Sequence, residues 1–328
     1  MEHFWVQLSK PDNIPMPILL VMTVAYLFMS FRQAYRNDKI IARLEANPAL
    51  AAKHHRKWEP YHKSWAKRLH VWPYLLRIEF IGALFVFIFL LLWSIAFNAP
   101  LEEPANPAFT PNPSKAPWYF LGLQELLVYF DPWIAGVVLP GMIISGLMAI
   151  PYVDINPYGN GYYTFRQRWF SISVFMFGFL VLWIILIILG TYIRGPGWQL
   201  FWPWEYWDPH RVIYETNVDV SELLAAWMNK PDWARAPTTG PYLERLFHPA
   251  TIIGLAVLVA MLGALGGMTI GFMKLALPDT WKKMGFIRQQ VVLGHLVIMI
   301  FTCVKIALRL TPGLNIKYIW VLPDIMNI

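Results

Sequence analysis

Six apolar stretches that carry almost no charge constrain this chain of 328 residues more than any other feature. A helix of roughly 20 such residues crosses about 30 Å of hydrocarbon, and the two-residue alternation of a membrane barrel is absent. The sequence therefore predicts an all-α, multi-pass transmembrane bundle, and 57% apolar with only 14% charged residues agree with this. The predicted spans cover residues 14–31, 75–97, 133–153, 169–193, 249–273 and 289–304.

The sixth span has two basic residues beyond its uncharged part. It can continue to Leu310 if Lys305 and Arg309 extend their charged ends to the membrane surface. The fifth span carries glycines at a spacing of four residues, Gly263, Gly267 and Gly271. Such a stripe allows close contact with another helix, in this chain or in a partner.

Lys and Arg residues are concentrated in alternate segments between the spans. Segment 32–72 carries ten of them against three acidic residues, and segments 154–168 and 274–289 carry two and four. Basic segments of this kind stay on the cytoplasmic side. We therefore predict that both termini lie on the outer, non-cytoplasmic side of the membrane. The net charge of +7 reflects this asymmetry, and no nucleic-acid partner is expected.

Two predicted outer segments have distinctive compositions. The proline-rich stretch 98–117 is followed by WYFLGLQELLVYF (residues 118–130), which is apolar but too short to span. It predicts an interfacial helix on the outer face. The loop 194–248 contains six Trp residues, which favour the lipid–water interface, and a short helix is expected there with Ser221 as its N-cap.

Potential metal ligands are few. The single Cys303 excludes a disulfide framework, an iron–sulfur cluster held by this chain and a CxxCH haem attachment. His295 is the one His inside a predicted span, whereas a bis-His haem needs two, so this chain alone ligates no haem and no metal. His295 lies about six residues from the cytoplasmic end of its span, where a His commonly forms a hydrogen bond to a neighbouring helix; His70 lies near the start of the second span.

Four motifs occur in order between residues 72 and 197. They are WPYLLRIEF (72–80), EEPANPAFTP (102–111), APWYF (116–120) and IPYVDINPYGNGYYTFRQR (150–168). The series resembles the C-terminal domain of cytochrome b, especially subunit IV of cytochrome bf-type complexes, in an elongated bacterial form. The second motif is similar to the family's E-P-A-x-P-x-x-T-P crossing, the third to PEWYF and the fourth to the NPF-R loop.

The resemblance implies a membrane subunit of a cytochrome bc-type quinol:cytochrome c, or related acceptor, oxidoreductase, in which electron transfer is coupled to proton translocation. The chain would scaffold the haem-b subunit and have no independent activity. It would form part of the outer-side quinol-oxidising site, with Pro117, Trp118, Tyr119 and Phe120 lining the slot for menaquinol or ubiquinol. The implied partners are a cytochrome b N-terminal subunit with two b haems, a Rieske iron–sulfur protein and a c-type cytochrome, in a dimeric complex of the bacterial cytoplasmic (inner) membrane. In such a complex His295 and His70 could line a cytoplasmic-side quinone or haem vicinity.

The chain departs from the family at one position of the motif. Pro117 stands where PEWY has the Glu that is thought to accept a quinol proton, and proline cannot do so. Glu125, eight residues on, is the only carboxylate within two turns and lies about 80° from the Pro117 direction on a helix. It is the predicted catalytic base. The alternative is a water-facing Glu on an interfacial helix.

Two other functions remain open, and a third is disfavoured. The chain could be a quinone-reactive membrane anchor of another respiratory complex, which would lack the ordered motifs, or a structural subunit with an inactive quinol cavity, which would explain the missing Glu. A transporter needs charged groups inside its spans, and the centres of the middle spans have none.

The predicted spans, the distribution of charge and the extent of the resemblance together divide the chain into four parts. They are an extra N-terminal span with a basic cytoplasmic segment (1–71), the cytochrome b C-terminal domain (72–197), a Trp-rich outer-face loop (198–248) and two C-terminal spans with a tail (249–328).

Overall fold

The structure, a computed structural model, is helical. It describes residues 2–54, 59–60, 71–98, 101, 104–108, 110–155, 158–159, 162–208, 210, 216–311, 313–317, 320–322 and 326–328. The helices are α1 (Glu2–Ser9), α2 (Pro15–Ala46), α3 (Pro48–Lys53), α4 (Val71–Ala96), α5 (Leu121–Leu126), α6 (Ile134–Val153), α7 (Trp169–Ile193), α8 (Val220–Trp227), α9 (Tyr242–Leu246), α10 (Pro249–Ala276) and α11 (Pro278–Leu310).

Six of these helices, α2, α4, α6, α7, α10 and α11, are long and apolar enough to cross a membrane. This confirms the predicted all-α fold and a multi-pass membrane protein. The described strands are only two or three residues long and form two antiparallel ribbons. They are β1 (Glu59–Pro60) with β2 (Tyr158–Gly159), and β3 (Trp320–Leu322) with β4 (Met326–Asn327).

The chain divides into two compact units. The first contains residues 1–111, 156–174 and 203–206, and the second contains residues 112–155, 175–202 and 207–328. The predicted boundaries after residues 71, 197 and 248 stay predictions, because a division by contacts within one chain does not test them.

In the first unit, the end of α2 packs on the loop before α7. The Asn37 side-chain amide donates to the Tyr163 carbonyl at 2.8 Å, and the Asp38 carboxylate accepts the Arg166 N–H at 3.2 Å. The ring of Phe165 contacts two aromatic rings of α2. The contact joins the end of α2 to the loop before α7; that the two segments share one side of the membrane stays a prediction.

The second unit surrounds an apolar core to which α5, α6, α7, α10 and α11 contribute. Its buried members are Leu126, Val128, Tyr129, Phe130, Ile134, Ala135, Leu139, Leu186, Leu258 and Phe301. The predicted interfacial helix 118–130 is present but shorter than expected: a single 3₁₀ turn at Trp118–Phe120 leads into α5, and turns follow. Its second half is part of this core because the apolar side chains pack beneath the neighbouring helices.

The sixth span reaches Leu310, but not in the expected way. The expectation that Lys305 extends to the membrane surface is wrong, because its side chain is fully buried. Its Nζ donates to the carbonyl oxygens of Lys317 at 2.7 Å and Ile328 at 3.1 Å. Backbone oxygens of the following segment thus solvate the ammonium in place of water or headgroups.

The short helix of the Trp-rich loop begins two residues earlier than predicted. Asp219 is its N-cap, and the Glu222 carboxylate accepts the Asp219 N–H at 3.1 Å, as in a capping box. Ser221 lies inside α8, where its hydroxyl donates to the Ala234 carbonyl at 2.7 Å. The three-residue spacing of Asp219 and Glu222 is the stronger start signal, and Ser221 does not have it.

The glycines of the spanning helices differ in what surrounds them. A Cβ added at Gly263, Gly267 or Gly271 of α10 would meet nothing within 4 Å among the described residues, so this stripe makes no close contact in the part of the chain that the structure describes. At Gly146 of α6 an added Cβ would lie 2.9 Å from Cδ2 of His295 in α11. Gly146 is therefore the glycine that lets α6 and α11 approach at this level.

We expect Gly146→Ala to destabilise the second unit by about 1–3 kcal/mol, the usual effect of overpacking a close contact. The His295 ring cannot simply turn aside, because both its nitrogens are within hydrogen-bonding distance of neighbours. Gly141→Ala is the matched control, since Gly141 also lies on α6 and a Cβ added there would meet nothing within 4 Å among the described residues. Thermal unfolding of the purified protein in detergent measures both, and equal shifts would contradict the packing argument.

Candidate functional site

The APWYF motif lies on the 3₁₀ turn that precedes α5. Tyr119 and Phe120 are 50% and 53% exposed, Pro117 is exposed and Trp118 is half-buried. The three rings contact one another in sequence: Trp118 and Tyr119 meet edge to face with centroids 5.7 Å apart, and Tyr119 and Phe120 are tilted with centroids 4.8 Å apart. Of the four residues predicted to line a quinol slot, these three thus form an aromatic surface that is partly open, and Pro117 lies beside it.

Side-chain hydrogen bonds hold the chain that leads into this turn. Gln124 of α5 accepts the Ala116 N–H at 2.8 Å through its Oε1 and donates to the Ser114 carbonyl at 2.9 Å. Lys115 donates from Nζ to the Thr191 carbonyl at 2.9 Å, and the Nζ lies 4.9 Å from the centre of the Trp207 ring. These bonds fix the motif against the end of α7.

Two glycines bring α5 close to α7. A Cβ at Gly122 would lie 3.3 Å from the Ile187 side chain, and a Cβ at Gly190 would lie 3.2 Å from the Leu121 carbonyl oxygen. The absence of both side chains lets the two backbones approach directly. As a result, residues one turn further along α5 reach the first residues after α7.

Glu125 and Arg194 form an ion pair at this approach. Glu125 is 0% exposed and Arg194 is 4% exposed. Arg194 Nη2 lies 2.7 Å from Glu125 Oε1, and Arg194 Nε lies 2.9 Å from Glu125 Oε2, which is the two-pronged geometry of a strong pair. The alternative of a water-facing Glu125 is therefore wrong, because helix α5 turns this residue into the protein.

Tyr129 completes the cluster. Its hydroxyl donates to Glu125 Oε1 at 2.6 Å, and Arg194 Nη1 donates to the Trp198 carbonyl at 2.7 Å. Burial raises the pKa of the Tyr129 phenol, and the Glu125 carboxylate raises it further. Burial lowers the pKa of Arg194, but the hydrogen bonds and charge of Glu125 outweigh it, and the net shift is upward. The phenol therefore stays a donor and the guanidinium stays charged at neutral pH.

Sequence reasoning missed Arg194 and Tyr129. Arg194 is 69 residues from Glu125, so no local pattern connects them. The available signal was weak: Arg194 directly follows an apolar span on the predicted outer side. Tyr129 follows Glu125 at the i+4 position, where helical side chains share a face.

Of the two histidines predicted to lie near a cytoplasmic-side quinone or haem, the structure describes only one. His295 lies on α11 with Nδ1 2.7 Å from the Val291 carbonyl and Nε2 3.2 Å from the Ser145 hydroxyl of α6. It is thus bonded to a neighbouring helix, which is the alternative that the sequence left open. His70 lies outside the described residues. Within the described residues, no group of three or more His, Cys, Asp or Glu side chains is arranged to hold a metal ion.

Comparison with known proteins identifies the region that contains this site. Residues 104–201 match the family described as cytochrome b (C-terminal)/b6/petD. The predicted resemblance to the C-terminal domain of cytochrome b is thereby confirmed. The matched segment contains the APWYF motif, Glu125, Tyr129 and Arg194, and no solved structure matches the chain.

Two curated relatives share one name, menaquinol:cytochrome c reductase cytochrome c subunit. The one from Geobacillus thermodenitrificans is 36% identical over 92 residues, which is 26% of this chain and 36% of the relative. The one from Bacillus subtilis (strain 168) is 35% identical over 91 residues, or 25% and 34%. The chain therefore spans about a third of the length of the relatives that it matches.

The geometry predicts strong coupling within the buried pair. Arg194→Met leaves a buried carboxylate without its partner, and Glu125→Gln leaves a buried guanidinium, so each should cost about 3–5 kcal/mol of stability. The double variant should lose clearly less than the sum. Thermal unfolding of the purified protein in detergent provides the measurement.

Arg235→Met is the matched control for this cycle. Arg235 also pairs with a carboxylate, that of Glu222, but its side chain is 59% exposed. Its loss should cost no more than about 1 kcal/mol. Additive effects of the two buried substitutions, or an equal loss at Arg235, would show that the Glu125–Arg194 pair is not a coupled unit.

Proposed function

We propose that this chain is a membrane subunit of a cytochrome bc-type quinol:cytochrome c, or related acceptor, oxidoreductase, and forms part of its outer-side quinol-oxidising site. The observation that carries the proposal is the position of the APWYF turn. It lies inside the segment that matches the cytochrome b C-terminal family, it exposes aromatic rings, and a buried carboxylate stands directly behind it. The names of the relatives favour menaquinol as the substrate.

The aromatic surface suits the ring of a quinol. Phe120 and Tyr119 present flat apolar faces, and the Tyr119 hydroxyl can bond a quinone oxygen. Pro117 and Trp118 would form the edge of the slot. The remaining walls would come from partner subunits, because the rings of Tyr119 and Phe120 are half-exposed in this chain.

The proposed base is Glu125, and its surroundings set how it can act. While the fork is closed, both carboxylate oxygens of Glu125 already accept hydrogen bonds from the Arg194 guanidinium. Arg194 already donates to the Trp198 carbonyl, so its guanidinium keeps a partner if it turns away from Glu125. We propose that Glu125 accepts the quinol proton in that open arrangement and that Tyr129, which bonds the same oxygen, holds the carboxylate in place.

One alternative function has an observation in its favour. Every hydrogen bond of Glu125 that the structure describes is internal, and Pro117 removes the motif carboxylate. A structural subunit with an inactive quinol cavity would use the same ion pair only to join α5 to α7. The activity of Glu125 variants separates the two functions.

The redox groups would lie on partners. A haem iron between two His ligands does not fit this chain, because both ring nitrogens of His295 are within hydrogen-bonding distance of other groups and it is the one His in the spans. Two b haems on a cytochrome b N-terminal subunit, a Rieske cluster and a c-type cytochrome complete the proposed dimeric complex. His295 and His70 remain candidates for the surroundings of a cytoplasmic-side quinone or haem.

Glu125→Gln should lower quinol-dependent reduction of the acceptor by at least about tenfold at unchanged haem content, because Gln cannot accept a proton. Glu125→Asp should retain more activity than Glu125→Gln, since it keeps the carboxylate. The measurement is steady-state turnover of the purified complex with a menaquinol analogue, expressed per assembled complex.

Stability is measured on the same samples because the substitution also breaks a buried pair. A purely structural role predicts that turnover per assembled complex stays near that of the wild type in both variants, whatever their thermal stability. Such a result would leave the scaffold function and remove Glu125 from the proton path. Recovery of the chain without any b-type haem protein would overturn the proposed function itself.

The proposed location in the bacterial cytoplasmic membrane, with both termini outside, is tested by labelling single cysteines in a Cys303→Ser background. All four positions chosen are exposed: Lys53, Asn106, Lys230 and Lys282. An impermeant maleimide added from the outer side should label Asn106→Cys and Lys230→Cys. It should label Lys53→Cys and Lys282→Cys only after the membrane is permeabilised. Any other grouping would reverse the assignment of the loops.

A further inference from the structure

The first membrane helix has a feature that the quinol site does not use. A cavity of about 380 Å³ lies along the side of α2, lined by Met29, Arg32, Gln33, Arg36, Asn37 and Ile40. We propose that this groove, the α2 groove, binds the phosphate of an anionic phospholipid through Arg32 and Arg36.

Position along the helix is the first argument. The apolar run of α2 ends at Phe31, and the helix continues without a break to Ala46. With a rise of 1.5 Å per residue, Arg32 and Arg36 lie within about 8 Å of the end of the apolar run. That is the level of lipid phosphates, and Met29 lies on the hydrocarbon side of both arginines. One end of the groove therefore suits an acyl chain and the next turn suits a phosphate.

Charge is the second argument. Arg32 and Arg36 are one turn apart on the same face of α2, and both are exposed. Among the residues that the structure describes, neither guanidinium has a carboxylate or another hydrogen-bond partner. Two like charges at this spacing repel each other unless an anion lies between them. A guanidinium pair binds a phosphate through several parallel hydrogen bonds, so a phosphate relieves the repulsion.

The rest of α2 is already held in place. Ala34 and Ile41, which do not line the groove, are buried, and Asn37 at the edge of the groove donates from its side-chain amide to the Tyr163 carbonyl. This fixes the rotation of the helix and keeps the two arginines turned outward. The groove is thus held open on a fixed helix, and it is independent of the proposed quinol site.

The face of α2 that carries Arg32 and Arg36 also provides a matched control. Lys39 and Arg43 follow Arg32 and Arg36 at helical spacing on the same face, but they lie about 12–18 Å beyond Phe31. They carry the same charge and do not line the groove. A lipid phosphate would bind the first pair and not the second, whereas diffuse attraction to an anionic surface would use all four.

The experiment uses the purified complex in a neutral detergent, into which phosphatidylglycerol or phosphatidylcholine is titrated. Native mass spectrometry counts the bound lipid, and thermal unfolding reports its effect on stability. Phosphatidylglycerol should bind and raise the unfolding midpoint, and phosphatidylcholine should do neither. Arg32→Gln/Arg36→Gln should weaken phosphatidylglycerol binding by at least about tenfold, and Lys39→Gln/Arg43→Gln should leave it within about twofold.

Three results would overturn the proposal. They are equal loss of binding in the two double variants, no preference for phosphatidylglycerol over phosphatidylcholine, and full replacement of the lipid effect by millimolar inorganic phosphate. If Arg32→Gln/Arg36→Gln does not assemble, the single variants Arg32→Gln and Arg36→Gln replace it. Each should then weaken binding several-fold, and unchanged binding in both would also overturn the proposal.

Discussion

A buried carboxylate and a buried guanidinium connect the motif to the rest of the second unit. Glu125 comes from a six-residue helix that is too short to be stable alone, and Arg194 ends a long membrane helix. Because water is excluded, each charge would be very unfavourable without the other. The pair therefore fixes α5, and α5 fixes the aromatic turn in front of it through Gln124 and its bonds to the preceding loop.

The pair depends in turn on small residues. Gly122 and Gly190 allow α5 and α7 to approach so closely that a Cβ at either position would crowd its neighbour, at 3.3 Å and 3.2 Å. Without that approach Glu125 would reach water at the membrane surface, which is where an interfacial helix ordinarily places a Glu. Gly146 has the corresponding role for His295 of α11. Membrane helices gain little from burying apolar surface against one another, so close packing and polar contacts of this kind hold them together.

The sequence predicted the spans well because hydropathy is a local property of the chain. The helix ends agree with the predicted ends within a few residues, except that α2 and α11 continue into the charged segments beside their spans. It pointed to Glu125 as a base from its distance to Pro117, which stays a prediction. It did not point to Arg194, since a pairing across 69 residues leaves no periodic pattern in the sequence. The prediction that Lys305 reaches the membrane surface was wrong for the same reason. Its acceptors are backbone carbonyls that only the folded C-terminal segment brings near. The error at Ser221 was local and avoidable, because Asp219 and Glu222 have the capping-box spacing.

Arginine is used in two opposite ways in this chain. Arg194 is 4% exposed, and its charge is balanced by a carboxylate at 2.7 Å, so dissolved ions screen this pair only weakly. Arg32 and Arg36 are exposed and have no described counter-charge, so salt screens them and a bound anion stabilises them. Ionic strength should therefore affect the two regions separately: it weakens electrostatic contacts on the surface of α2 and leaves the buried pair beside the aromatic turn intact. A charge contributes to structure where water is absent and to recognition where a ligand can replace water.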